Sequence, residues 1–363
     1  MSITYPHFGS LTYLFEIFLN ELGRYDIVKP KNPSRKTAII GSQHSPEFIC
    51  TPFKIVLGTF MESIEAGAYE LVMDGFHAHC RFGYYWPVLK MILEDLGYDF
   101  RFIILDHTNP VEFLRVLKND VSDNLKLFQI LKALRIVWNK FCCIELVDKL
   151  LSSYRAVEID KGSSELVAEK AFKLIVEEKG IRNIKDLKKK LPGLFEKEVC
   201  KDTKVNPLKV AIIGEIYVVL EPSLNLEIHK RLNGLGVIVD TPVSLRNYVD
   251  FEGIFNPFKK SHKQIALRKA KHYLEHSCGG DAQASIGDTI LYKEKDWDGM
   301  VHLYPFTCMP EIISKSILPQ ISKEYNMPVI SLTLDEQTGE AGFQTRLEAF
   351  VDLLERKKES NCK

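Results

Sequence analysis

The sequence predicts an α/β protein made of two open parallel-sheet domains around a helical middle segment. Two observations point there. Over roughly the first 108 residues, and again from residue 207 onward, short β-like runs alternate with amphipathic helical runs, the pattern of an open parallel sheet. From Val111 to Lys204 no strand pattern appears. The expected boundaries are an N-terminal α/β domain over 1–110, a helical insertion or linker layer over 111–206, and a C-terminal α/β domain over 207–363.

In order along the chain, Ser2 to Tyr5 reads as a strand ended by Pro6-His7-Phe8-Gly9. Leu11 to Leu22 reads as a helix, because Leu11, Leu14, Phe15, Phe18 and Leu22 share one face. Tyr25 to Val28 reads as a second strand, stopped by Lys-Pro-Lys-Asn-Pro, and Lys36 to Ile40 as a strand or an extended loop. Pro52 to Ala66 is an expected helix, Glu70 to Met73 a strand, Val88 to Leu96 a helix and Phe100 to Leu105 a strand. In the middle, Val121 to Ser153 and Ser164 to Glu178 carry helical patterns. Between Arg182 and Lys204 there are eight basic and four acidic residues, the composition of a solvated helical face. The alternation then resumes: strands at Leu208–Ile213, Leu235–Val239, Met300–Tyr304 and Pro328–Leu332, with helices at Lys259–Tyr273, Glu311–Glu324 and Thr345–Lys357.

Composition narrows the function classes. The 363 residues carry 48 Lys+Arg against 48 Asp+Glu, so no global field attracts nucleic acid or an anionic membrane. With 45% hydrophobic and 26% charged residues the chain is an ordinary globular one. Charges interrupt every apolar run well short of the ~18 residues a membrane span requires. The start, Met-Ser-Ile-Thr-Tyr-Pro, has no basic region followed by an apolar one, so a cytoplasmic location is expected.

The eight cysteines are Cys50, Cys80, Cys142, Cys143, Cys200, Cys278, Cys308 and Cys362, with no C-x-x-C among them. In a reducing compartment each is a core residue, a surface thiol or a ligand. Cys142 and Cys143 sit mid-helix beside Phe141 and Ile144 and read as core; Cys200 and Cys362 read as surface thiols. Cys50, Cys80 and Cys308 differ. They fall in segments expected at or near the carboxyl ends of strands, where open α/β sheets bind ligands. Pro52 and Pro310 place Cys50 and Cys308 just ahead of a helix, where the macrodipole favours a thiolate. Lys54 and Arg81 add positive charge nearby.

The gaps of 29 and 227 intervening residues match no local ligand motif, so spacing leaves the metal open. Zinc would take the three cysteines with His77 or His79. An iron–sulphur cluster would take the three thiolates and keep one iron open to an outside ligand.

Five segments in order, Cys50-Thr-Pro-Phe-Lys54, Cys80-Arg-Phe-Gly-Tyr84, Ser285-Ile-Gly287, Pro305-Phe-Thr-Cys-Met-Pro310 and Thr345-Arg-Leu-Glu-Ala-Phe350, resemble one superfamily. It is that of 2-hydroxyacyl-CoA dehydratase subunits, benzoyl-CoA reductase and double-cubane cluster proteins, with the greatest likeness to the activase-related or "CoA protein activase" branch. The resemblance runs across nearly the whole chain. It implies two flavodoxin-like α/β domains and a [4Fe–4S] cluster in the cleft, ligated by Cys50, Cys80 and Cys308. In the catalytic relatives the open iron binds the thioester carbonyl of a CoA substrate. A separate ATP-dependent activator protein, itself carrying an iron–sulphur cluster, delivers one low-potential electron. The resemblance also implies a homodimer, or a heterodimer with a related subunit. It leaves open whether this chain is a lyase or reductase component or a non-catalytic relay with a double-cubane cluster. A zinc-stabilised scaffold is the reading from a different class.

Other features are read more plainly. Cys278, in Glu275-His-Ser-Cys-Gly-Gly-Asp281, is either a fourth sulphur or part of a structural turn, and the turn is preferred. Lys259, Lys260, Lys263, Arg268, Lys269 and Lys271 are read as a solvent-facing helix rather than a CoA-phosphate site. Glu215 and Glu221 flank a short apolar run after the Leu208–Ile213 strand and are candidate cleft carboxylates. No G-x-x-x-x-G-K-[ST], G-x-G-x-x-G or G-x-S-x-G motif occurs, so any ATP hydrolysis is expected from another polypeptide.

Overall fold

The computed structural model of the chain describes residues 2–75, 80–122, 125–245 and 260–361. The chain forms two compact units, one of Met1–Asp148 with Ala168–Leu194, the other of Lys149–Val167 with Phe195–Lys363. Each unit contains one parallel sheet, so the expected pair of flavodoxin-like parallel-sheet domains is present. His77, His79, Lys259 and Cys362 lie outside the described residues.

In the first unit β1 (Ile3–Thr4), β2 (Glu70–Asp74) and β3 (Arg101–Leu105) lie side by side in that order, with Leu71 opposite Phe102. The connecting helices are α1 (Thr12–Glu21), α2 (Arg35–His44), α3 (Thr51–Glu65) and α4 (Tyr85–Asp95), and α5 (Pro110–Val116) follows β3. Tyr5, Ile3 and Leu71 are fully buried beneath them.

Two expectations are corrected here. Tyr25 to Val28 is not a strand: it makes one parallel bridge, Ile27 to Ile3. β1 is only two residues long, so the ladder reduces to Ile3 N–H donating to Asp26 O and Val28 N–H to Ile3 O, both at 2.9 Å. Lys36 to Ile40 is neither strand nor loop but the first half of α2. Ser34 caps that helix, its side chain accepting from Thr37 N–H while the Thr37 hydroxyl accepts from Ser34 N–H. Glycines then seat α2 on α3: a Cβ on Gly41 would stand 1.7 Å from Lys54 O, and one on Gly58 2.2 Å from Thr37 O. Only a missing side chain permits backbones that close.

The middle helices are α6 (Leu127–Arg155), α7 (Ser163–Glu177) and α8 (Ile181–Glu198), and each runs from one unit into the other. In α8, Ile184, Leu191 and Phe195 are buried while Arg182, Lys185, Lys189 and Lys190 are exposed, the solvated face its composition predicts.

In the second unit the order is β5 (Val237–Asp240), β4 (Leu208–Gly214), β6 (Gly299–Pro305), β7 (Val329–Leu334), all parallel, with Val210 opposite Gly299. α9 (Ile216–Leu220) and α10 (Ile228–Gly234) lead from β4 to β5; α11 (His262–Ala270) and α12 (Ala282–Glu294) precede β6. α13 (Met309–Glu324) joins β6 to β7, and α14 (Glu340–Asn361) closes the chain. β6 is buried over its whole length, as a central strand covered on both faces must be. A serine again caps the first helix of the pair, Ser261 for α11, and a glycine again seats the second, since a Cβ on Gly287 would lie 1.9 Å from Ala266 O.

Counting the Ile27 bridge, both units therefore place their strands in the order second, first, third, fourth. In such a sheet the chain reverses direction between the first and third strands, and ligands bind at the carboxyl ends there. Helices joining parallel strands run back antiparallel to them, so their N-termini lie at that same edge.

Candidate functional site

Each of the three cysteines expected as ligands caps a helix. Cys50 is the N-cap of α3 with extended backbone (φ −65°, ψ 144°) and Pro52 in the first turn. Cys80 is the N-cap of a 3-10 turn, Arg81–Tyr84, that continues into α4. Cys308 is the N-cap of α13, with Pro310 in its first turn. The macrodipole and the first N–H groups of a helix favour negative charge at that position.

The first unit brings Cys50 and the Cys80 segment together. Cys50 is 8% exposed, and its Sγ lies 2.6 Å from the hydroxyl of Tyr85, the first residue of α4. The Tyr85 ring is fixed by Phe53 at 5.1 Å, edge-on, and Phe82 at 5.0 Å. Arg81 Nη1 donates to Phe48 O at 3.5 Å, tying the turn after Cys80 to the turn before Cys50. Near this edge His107 Nδ1 is 3.1 Å from Asp74 Oδ2, and His7 Nε2 is 2.9 Å from Asn32 Oδ1.

In the second unit Cys308 follows Thr307, a β-branched residue held at φ +70°, a strained conformation that recurs at functional sites. Behind Cys308 sits a fully buried polar group that sequence reasoning did not single out. Glu311, in the first turn of α13, has its Oε2 at 2.8 Å from His302 Nε2, and accepts from Ser314 Oγ at 2.7 Å and Ser285 Oγ at 3.0 Å. Its Oε1 is buried and has no hydrogen-bond partner among the described residues. His302 Nδ1 is 3.0 Å from Ser331 Oγ. Glu311 thus links α13 to β6 and α12. The available signal was a lone histidine in the otherwise apolar run of β6.

Beside this network, at the carboxyl ends of β4 and β5, is a pocket with about 400 Å³ of empty space including its mouth. Asp281, Asp288, His262 and Lys263 line it, so Lys263 faces a pocket and not only solvent. His262 Nε2 is 2.7 Å from Asp288 Oδ1. Burial pushes Asp281 up to about 8, with the negative charges of Glu311 and Glu215 adding to it. Burial also pushes Glu215 up to about 7, although its carboxyl accepts from Tyr217 and Val218 N–H at the start of α9. Of the two candidate cleft carboxylates, Glu215 is thus an N-cap at the end of β4. Glu221 is buried and accepts from Ser223 N–H and Oγ.

Cys278 lies in the turn before α12. A Cβ on Gly280, itself at φ +52°, would stand 3.0 Å from Pro310 Cγ, so this turn packs on the start of the Cys308 helix. Burial, then the charge of Glu311, raises the Cys278 thiol. Of the other described thiols, Cys143 is the expected core residue, fully buried, pushed up to about 11 by burial and donating to Ile184 O at 3.8 Å. Cys200 is exposed as expected, whereas Cys142, expected in the core, is only half-buried.

Cys50 and Cys80 belong to the first unit, Cys278 and Cys308 to the second. Among the described residues no three His, Cys, Asp or Glu side chains are grouped as metal ligands, and no helix is long and apolar enough to cross a membrane. In comparisons with known proteins, no family model and no curated sequence matches the chain.

Proposed function

We propose that this chain is an iron–sulphur protein in which Cys50, Cys80 and Cys308 hold a [4Fe–4S] cluster. The observation that carries the reading is that all three residues are helix N-caps in parallel-sheet units. A set of thiolates alone suits iron–sulphur ligation, and a helix N-terminus lowers the cost of holding each as an anion. The ordered segments around them resemble those of the 2-hydroxyacyl-CoA dehydratase superfamily, which supports a role in low-potential reduction or dehydration of a CoA thioester. Such a cluster supplies one-electron transfer at low potential. The residues around it have other tasks: Tyr85 orients the Cys50 sulphur, Arg81 binds the Phe48 carbonyl, and Glu311 anchors the helix that Cys308 caps. Without a phosphate-binding motif in its sequence, the chain is proposed to receive electrons from a separate ATP-dependent activator protein, in the cytoplasm, as a homodimer or beside a related subunit.

The test is iron and acid-labile sulphide in anaerobically prepared variants. Cys50→Ala, Cys80→Ala and Cys308→Ala should each lose most bound iron, while Cys142→Ala and Cys200→Ala should match the parent. Iron lost from the Cys200 variant but kept by Cys308→Ala would overturn the assignment.

A further inference from the structure

The two units repeat one topology, and the cysteines repeat with it. Cys80 follows Cys50 by 30 positions, and Cys308 follows Cys278 by 30. Adding 228 to the residue number carries Cys50 to Cys278 and Cys80 to Cys308. The same step carries Arg101, the first residue of β3, to Val329, the first residue of β7. It brings the first residue of β2 and the last residues of α3 and α4 within one position of those of β6, α12 and α13. Over residues 50–105 the two cysteines are the only identities in this register. A register kept by the strands and helices, with everything else replaced, leaves these two thiols as the common chemistry of both units.

Local packing agrees. In the first unit the Cys50 and Cys80 segments meet through Tyr85 and Arg81; in the second the Cys278 turn packs on Pro310, two residues past Cys308. The difference between the units is local too. Cys50 directly caps α3, whereas Gly279 and Gly280 replace the first turn of α12, so Cys278 sits three residues before the N-cap Asp281.

We infer that Cys278 is a fourth iron ligand, the second-unit counterpart of Cys50. The inference rests on the iron–sulphur reading above and deepens it. On ligation the Cys278 thiol gives its proton to solvent as its sulphur binds iron. Four thiolates on a four-iron cube leave no iron open to act as a Lewis acid on a substrate carbonyl. The chain then transfers electrons through a fully ligated cluster, which favours the relay role over direct catalysis.

The experiment compares the electron paramagnetic resonance spectra of the reduced, anaerobically prepared parent, Cys278→Ala, Cys278→Ser and Cys142→Ala, each checked for folding by circular dichroism. The expected result is a parent spectrum unchanged by added imidazole or a CoA thioester, with altered spectra for both Cys278 variants. Added 2-mercaptoethanol should return the Cys278→Ala spectrum towards the parent's, and Cys142→Ala should match the parent throughout. A folded Cys278→Ala chain whose spectrum superimposes on the parent's overturns the fourth ligand and leaves the three-cysteine assignment standing. A parent that binds no iron overturns both.

Discussion

Replacing Glu311 with alanine tests whether the buried network fixes the helix that Cys308 caps. The carboxyl is fully buried and its Oε2 serves three partners, His302, Ser285 and Ser314, at 2.7–3.0 Å. Each hydrogen bond is worth about 1 kcal/mol net, so losing three costs about 3 kcal/mol. The space left by the shortened side chain adds to the loss. Removing Oε1, which is buried without a partner among the described residues, returns part of it, since such an atom costs about 1–3 kcal/mol. The expected net destabilisation is about 2–4 kcal/mol. Ser314→Ala removes one of the three side-chain contacts and should cost about 1 kcal/mol. Urea unfolding followed by circular dichroism measures both, with stability read from the midpoint at unchanged slope. Cys308 in Glu311→Ala should also react faster with a thiol reagent, because its helix start has lost its anchor. A Glu311→Ala chain within about 0.5 kcal/mol of the parent, with unchanged Cys308 reactivity, would refute this account of the network.

Other outcomes follow from the same geometry. Gly287→Ala should destabilise the second unit by more than the ~1 kcal/mol that exchanging glycine for alanine in a helix normally gains, because the new Cβ meets Ala266 O at 1.9 Å; a stabilised variant in urea unfolding would contradict the contact. Asp281 and Glu215 hold protons in the folded chain up to about 8 and about 7, whereas unfolded carboxyls release them near pH 4. The folded state binds the extra protons across that window, so their contribution to stability is full below about pH 4 and falls as pH rises through 7 and 8. Asp281→Asn should flatten this decline between about pH 5 and 8.5 in urea titrations, and an unchanged pH slope would show that Asp281 is not the group responsible.

Parallel-sheet alternation was legible because it depends on local apolar runs and the turns that bound them. What escaped depended on partners distant in sequence. Tyr25–Val28 has the pattern of a strand, but its neighbour β1 is too short to pair with more than Ile27. Ile39 and Ile40 suggested extended structure, while the Ser34–Thr37 cap and the close approach at Gly41 and Gly58 make the segment a helix. The N-cap positions of Cys50 and Cys308 could be read from the prolines two residues on. Glu311 could not, since its partners come from a strand and two helices. Cys278 read as a turn residue because Gly279 and Gly280 follow it. Its 30-residue spacing from Cys308 stands in the sequence, but that the strands keep the same register as those around Cys50 and Cys80 is seen only when the two sheets are compared.

The central claim is that these cysteines bind an iron–sulphur cluster, and metal analysis of the anaerobically purified parent tests it most directly. The account predicts a brown protein with about four iron and about four acid-labile sulphide per chain. A colourless protein with stoichiometric zinc and no sulphide, folded and unchanged by anaerobic reconstitution with iron and sulphide, would contradict it.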